Sequence, residues 1–193
     1  NQPDYKRMLA YSSIENMGVI ALGVGIGGLG LYGAMLHLIH HSLLKSSMFL
    51  SAGNLVLGFG TKLVAHCGGM IRLLPRTCIG FFAGFIGLSG LPPFGVFVSE
   101  LMILTGAMQM GHPVVGGLFI VALVLVVAGF ARIATDMSFG PIQDEILVTE
   151  QTARIVPPWT LLLTSALLCV WMPEPLYRTI ASAIAVIGGT IHG

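Results

Sequence analysis

Long apolar segments separated by short polar stretches make up most of this chain. About 20 apolar residues suffice to cross the hydrocarbon core of a bilayer, so each long segment can span a membrane. The apolar segment nearest the C-terminus, roughly Leu176–Ile191, either spans the membrane or lies in its interface. The pattern predicts an all-α polytopic transmembrane helical bundle, with helices at roughly Met8–Gly28, Leu31–Gly58, Arg76–Met110, Pro113–Ala134, Pro158–Met172 and Leu176–Ile191.

One predicted helix is broken by prolines. The segment Arg76–Met110 is too long for a single straight helix and contains Gly90, Pro92 and Pro93 near its middle. The prolines lack amide donors and end the helix there. Irregular backbone at membrane depth persists only inside protein or beside a water-filled cavity, so we expect the break in one of these places.

Composition narrows the function classes. Hydrophobic residues make up 55% of the 193 residues, charged residues make up 9%, and the mean hydropathy is +0.90. Soluble domains carry roughly 25% charged residues. The net charge of +1 offers no basic surface for nucleic acid. The three cysteines form no CxxC pair, so we expect no iron–sulfur cluster, zinc site or other cofactor.

The distribution of Lys and Arg orients the predicted bundle. When successive spans alternate sides, most of these residues fall on one face. By the positive-inside rule, Lys6, Arg7, the 60–76 loop and the 132–156 loop are predicted to be cytoplasmic. Since the chain begins with Asn and shows no cleavable signal peptide, we expect residues 1–193 to be the C-terminal part of a longer protein.

The stretch HLIHHSLLK, residues 37–45, carries ionisable side chains inside an apolar segment. His37, His41 and Lys45 recur every four residues, which places them on one helical face, ~6 Å apart along the axis. Ionisable groups in the bilayer cost on the order of 2.5 kcal/mol or more and are usually functional. Because histidine can both accept and release a proton, this ladder predicts part of a proton path.

The ladder has two other interpretations. The histidines can simply hydrogen-bond to neighbouring helices, or His37, His40 and His41 can form a metal or haem site. A metal site is disfavoured, because His40 points about 100° away from His41 and the helix has neither an HExxH motif nor a nearby carboxylate. Packing alone leaves an intramembrane lysine unexplained.

Two carboxylates are further candidates. Glu100 follows the helix break by about two turns and should face the protein interior, where it needs a cationic or watery partner. An ion pair with Lys45 is the structural alternative. Glu15, in the first helix, is either a proton acceptor on the entrance side or a carboxylate that reaches toward interfacial water.

The glycine run GVGIGG, residues 23–28, matches the pattern GxGxxG. It follows a membrane helix rather than a strand, so a dinucleotide site is not indicated. We expect these glycines to allow tight packing or a turn.

Three blocks of sequence together resemble one family of membrane proteins. The blocks are KRMLAYSSIENMG at 6–18, HLIHHSLLKSSMFLSAGN at 37–54 and GLSGLPPFGVFVSEL at 87–101. They are similar to the proton-conducting, antiporter-like membrane subunits of respiratory complex I, Mrp antiporters and energy-converting hydrogenases. SSIENMG and LPPFGVFVSE most resemble the hydrogenase-4 component F branch.

The resemblance implies a multi-pass subunit in the plasma membrane of a bacterium or archaeon. It places His37, His41 and Lys45 on the family's central polar axis and Glu100 near its outer exit. It implies as partners other membrane subunits and a soluble redox arm with iron–sulfur, nickel–iron or flavin subunits. Redox chemistry would occur in those partners, since this chain shows no catalytic redox centre.

These observations give three hypotheses. The first is a proton-translocating membrane subunit of a multisubunit oxidoreductase, with protons moving through water and through His37, His41, Lys45, Glu100 and Glu15. The second is an Mrp-type cation/proton antiporter subunit, in which Glu100 helps to bind Na⁺ or K⁺. The third is a non-transporting membrane scaffold, which leaves three aligned ionisable groups in one lipid-embedded helix without a purpose.

Overall fold

The computed structural model describes residues 3–142 and 150–187. Within these ranges the chain forms eight α-helices and a short 3₁₀ turn at Val64–His66. The helices are α1 (Tyr5–Ile26), α2 (Gly28–Phe59), α3 (Met70–Leu73), α4 (Pro75–Leu88), α5 (Gly95–Gln109), α6 (Pro113–Phe139), α7 (Thr152–Val170) and α8 (Glu174–Ile187). The predicted all-α fold is confirmed. The end of the last predicted segment, beyond Ile187, lies outside the described residues.

The predicted helix break is present between α4 and α5. Three helices, α1, α6 and α7, are long and apolar enough to cross a membrane alone. The apolar helices α4 and α5 are shorter, with 14 and 15 residues. Each half spans ~22 Å, less than the ~30 Å of a hydrocarbon core, so the two together form the broken span. Residues 89–94, with Gly90, Pro92 and Pro93, separate them.

The centre of the bundle is α2, a helix of 32 residues that packs against α1, α4, α5, α7 and α8. On the face toward α7, three hydrogen bonds start from residues seven apart in α2. Seven residues are about two turns, so the bonds lie along one line. They join His40 to Ser165 (3.0 Å), Ser47 to the Pro158 carbonyl (2.8 Å) and Asn54 to the Arg154 carbonyl (2.9 Å).

The start of α7 differs from the prediction. The helix begins at Thr152 rather than at Pro158, and both Pro157 and Pro158 lie inside it. A proline inside a helix leaves the carbonyl four residues earlier without its amide donor. For Pro158 this is the Arg154 carbonyl, which accepts from Asn54 instead. The helix therefore tolerates this proline because a neighbouring helix supplies the missing donor.

Several segments that carry Lys and Arg meet at one end of the bundle. Asp4 caps α1 by accepting from the amides of Lys6 and Arg7 at 2.8 and 3.0 Å, and it pairs with the segment that follows α2. Glu150 accepts from the Thr77 amide at 2.8 Å and caps α4. These contacts bring together segments predicted to share one face. The cytoplasmic location of that face stays a prediction.

A tight turn joins α1 to α2. Gly27, the single residue between them, has a φ of 76°, a left-handed conformation that favours glycine. The two helices also approach closely at Gly23, where an added Cβ would lie 2.7 Å from the Gly30 carbonyl oxygen. The predicted role of this glycine run in close packing and a turn is confirmed.

We expect Gly23→Ala to lower the unfolding temperature of the full-length protein in detergent, because overpacking of this kind costs about 1–3 kcal/mol. Gly25→Ala is the matched control, since a Cβ at Gly25 meets nothing within 4 Å. Thermal unfolding followed by circular dichroism compares the two variants. Equal melting temperatures would contradict the close approach at Gly23.

Candidate functional site

The ladder of ionisable residues on α2 faces the interior of the bundle. His37, His41 and Lys45 are only 0%, 5% and 7% exposed. The rings of His37 and His41 are stacked, with centroids 6.0 Å apart and planes inclined by 15°. Their surroundings are therefore other side chains of the protein rather than acyl chains, as expected for ionisable groups at membrane depth.

Lys45 is bound to α1. Its Nζ donates to the Leu9 carbonyl oxygen at 2.6 Å and to Ser12 Oγ. The alternative of an ion pair between Lys45 and Glu100 is not observed, and no acid of the described residues lies within 4.0 Å of this ammonium. The buried positive charge is thus held by neutral oxygens of α1.

Glu15 is connected to the ladder through its neighbour in α1, Asn16. Its Oε2 accepts a hydrogen bond of 3.0 Å from Asn16 Nδ2. Together with Arg132 it lines a groove of about 390 Å³ between α1 and α6. The structure thus links this carboxylate to the ladder at His37.

Asn16 and Ser99 lie in the quoted sequence blocks but were not predicted as site residues, and they connect α1, α2 and α5 by hydrogen bonds. Asn16 Nδ2 donates to the Ser12 carbonyl oxygen at 2.7 Å. His37 lies between the two residues, with Nε2 2.9 Å from Asn16 Oδ1 and Nδ1 2.9 Å from Ser99 Oγ. We define the polar seam as Ser12, Glu15, Asn16, His37, Lys45 and Ser99.

Glu100 is buried on the second turn of α5. Its carboxylate packs against Gly90 in the helix break, where an added Cβ would overlap it. Gly90 also has a φ of 66°, so both its backbone and the space beside it require glycine. Pro92 and Pro93, the other predicted residues of the break, are exposed.

His40 points away from the polar seam, as its angular offset on α2 predicts. It is fully buried, and its Nδ1 lies 3.0 Å from Ser165 Oγ on α7. Its ring covers Gly95 at the start of α5, where an added Cβ would overlap it. Within residues 3–142 and 150–187, His, Cys, Asp and Glu side chains form no group of three placed to hold a metal ion.

Comparisons with known proteins agree with the sequence blocks. The sequence model of the NADH:quinone oxidoreductase/Mrp antiporter transmembrane family matches residues 1–131. A hydrogenase-4 component F homolog from Methylacidiphilum infernorum is 36% identical over 138 residues, which cover 71% of this chain and 29% of the relative. NADH-quinone oxidoreductase subunit N from Desulforudis audaxviator is 35% identical over 133 residues, which cover 68% and 26%. The resemblance is confirmed.

A solved structure shares the arrangement of helices. A chain of the membrane-bound sulfane sulfur reductase, an archaeal respiratory membrane complex, superposes with a TM-score of 0.83 at 28% identity. The match covers 97% of this chain and 38% of that one. This chain spans less than a third of the length of the two curated relatives, 29% and 26%.

We expect Gly95→Ala to destabilise the full-length protein by about 1–3 kcal/mol, because the new Cβ overlaps a fully buried ring. Adding His40→Ala removes the ring that the new Cβ overlaps. The double variant should therefore lose less stability than the sum of the losses in Gly95→Ala and His40→Ala. Thermal unfolding in detergent measures the three variants. Gly117→Ala is the control, since its Cβ meets nothing within 4 Å. Strictly additive losses would show that the ring does not cover Gly95.

Proposed function

The chain belongs to the NADH:quinone oxidoreductase/Mrp antiporter transmembrane family, and on that premise we propose that it carries a proton path of a proton-translocating membrane subunit. The polar seam is the observation that carries this proposal. It joins the Lys45–Ser12 pair to the line Glu15–Asn16–His37–Ser99 through the Ser12 carbonyl oxygen, inside helices that are mostly apolar. Such groups are costly in a bilayer, which favours a function over packing.

Protons enter the seam from the groove between α1 and α6. Ser12 and Glu15 line this groove together with Arg132. Ser12 Oγ also accepts from Lys45 Nζ, so the ammonium is one hydrogen bond away from the groove. A carboxylate at such an opening can take a proton from water and pass it to the buried base beside it.

Transfer continues along α2 toward α5. Lys45, His41 and His37 rise along one face of α2, and His37 contacts α5 at the residue next to Glu100. His41 Nδ1 is buried without a partner among the described residues, a position that a bound water can satisfy.

Partner subunits supply the driving force. The named relatives are subunits of multisubunit membrane complexes, so other membrane subunits are partners of this kind of chain. Redox chemistry takes place in a soluble arm with iron–sulfur, nickel–iron or flavin subunits. The resulting movement of charge drives proton transfer along the polar seam. The membrane is a bacterial or archaeal plasma membrane, with Lys6 and Arg7 on the cytoplasmic side.

Lys45→Met should reduce redox-driven proton uptake by at least about tenfold, since loss of a positioned acid–base group typically costs 10²–10⁴-fold. Partner redox activity and assembly should persist. Fluorescence quenching of a pH-sensitive dye in inverted membrane vesicles measures uptake by the assembled complex. Lys62→Met is the matched control, because Lys62 is exposed and outside the polar seam.

Three outcomes of this assay decide against the proposal. Wild-type uptake in an assembled Lys45→Met complex removes the path through Lys45. Loss of wild-type uptake when Na⁺ and K⁺ are omitted indicates obligatory cation/proton exchange. Unchanged uptake in a Glu100→Gln, His41→Ala double variant indicates a scaffold without a transport role.

Gly90→Ala should displace the Glu100 carboxylate and reduce proton uptake in the same assay. Gly111→Ala is the matched control, because Gly111 also has a positive φ, 76°, but a Cβ there meets nothing within 4 Å. Both variants bear the left-handed backbone cost of roughly 1–2 kcal/mol, so only the contact with Glu100 distinguishes them. Equal uptake by the two variants would show that this contact is dispensable.

A further inference from the structure

We propose that Asn16 and Ser99 position the proton on His37. Asn16 holds His37 as the imidazole protonated at Nε2, and Ser99 makes Nδ1 the atom that gains and loses the transferred proton. Both act through His37 and are positioning residues. The tautomer rests on hydrogen-bond geometry alone, whereas the transfer through Ser99 rests on the proposed proton path.

The orientation of the Asn16 amide is fixed by two acceptors. Its Nδ2 lies 2.7 Å from the Ser12 carbonyl oxygen and 3.0 Å from Glu15 Oε2. An amide nitrogen donates to both, whereas a flipped amide would place Oδ1 against the Ser12 carbonyl oxygen with no hydrogen between them. Asn16 Oδ1 therefore faces His37.

This oxygen decides which nitrogen of His37 carries the hydrogen. Asn16 Oδ1 lies 2.9 Å from His37 Nε2 and can only accept, so the hydrogen is on Nε2. The lone pair of the neutral ring is then on Nδ1. Since an amide neither gains nor loses a proton in the physiological range, the side of His37 that faces α1 is closed to proton exchange.

Ser99 contacts the other ring nitrogen of His37, Nδ1. Its Oγ lies 2.9 Å from His37 Nδ1 and 2.7 Å from the Val96 carbonyl oxygen, but a hydroxyl has one hydrogen to donate. When His37 is neutral, the hydroxyl donates to Nδ1. When His37 is an imidazolium, Nδ1–H donates to Oγ and the hydroxyl donates to the Val96 carbonyl oxygen. His37 and Ser99 are therefore paired in both protonation states.

Protonation of His37 passes through this hydroxyl, because Asn16 Oδ1 blocks Nε2 and Ser99 Oγ lies 2.9 Å from Nδ1. A hydronium ion of the proposed proton path gives a proton to Ser99 Oγ while the original hydroxyl hydrogen moves to His37 Nδ1. One O–H bond of hydronium breaks, one N–H bond forms and a neutral water is left. The reverse step returns the proton to water.

Nitrogen-15 NMR of the histidine-labelled full-length subunit in lipid vesicles tests the tautomer. The His37 signals are identified by their loss in His37→Gln. We expect a pyrrole-type resonance for Nε2 and a pyridine-type resonance for Nδ1 in the neutral ring, and a mixture of tautomers in Asn16→Leu. A neutral wild-type ring with its hydrogen on Nδ1 overturns the proposal, whether or not the complex moves protons.

Proton uptake by the assembled complex tests the route. Ser99→Ala should reduce uptake by about tenfold or more, and Ser99→Thr, which keeps a hydroxyl, should restore most of it. Ser165→Ala is the matched control, since Ser165 is another fully buried serine next to a histidine Nδ1, that of His40, outside the polar seam. It should retain wild-type uptake.

Equal uptake by Ser99→Ala and Ser165→Ala overturns the route through the hydroxyl. Equal losses in Ser99→Ala and Ser99→Thr also overturn it, because the hydroxyl then makes no difference. A wild-type complex that moves no protons counts against the proposed function, and with it the route, whereas the NMR measurement still decides the tautomer.

Discussion

An unpaired polar group buried in an apolar medium costs several kcal/mol, roughly 4–8 when nothing can hydrogen-bond to it. The need to give each buried polar side chain a partner determines how the helices are arranged around α2. On one face, His37 and Lys45 take their partners from α1 and α5. On another face, His40 and Ser47 take theirs from α7. The neighbours of α2 are therefore set by the positions of its polar side chains, in a bundle whose remaining contacts are mostly apolar and far less directional.

Small residues bring these partners within reach. A Cβ added at Gly33 would lie 2.8 Å from the Ser99 carbonyl oxygen, so α5 packs directly on the backbone of α2 at this point. About one turn further along α2, the Ser99 hydroxyl meets His37. Gly90 similarly leaves room for the Glu100 carboxylate inside the helix break. Close backbone contact of this kind is typical of helices packed in lipid.

Local sequence determines part of this arrangement and packing determines the rest. Helical periodicity shows that His37 and Lys45 share a face, and the prolines show where a span breaks, because both depend only on nearby residues. The partners of His37 are different: Asn16 is 21 residues away and Ser99 is 62 residues away. Both lie in sequence blocks that resemble the antiporter-like family and each adjoins a predicted acid, but neither observation pairs them with His37. Opposite charge suggested Glu100 as a partner of Lys45, whereas the packing of α1 supplies oxygens instead.

The hydrogen bonds between α2 and α7 have a mechanical consequence. They start from residues 40, 47 and 54 of α2, which are spread over ~21 Å of its length. Sliding α7 along its axis would break all three together, at about 0.5–1.5 kcal/mol each, so the two helices shift as a single rod. At one end of this row of hydrogen bonds, the ring of His40 packs against Gly95, where α5 begins. A displacement of α7 along its axis therefore also displaces the helix that bears the histidines.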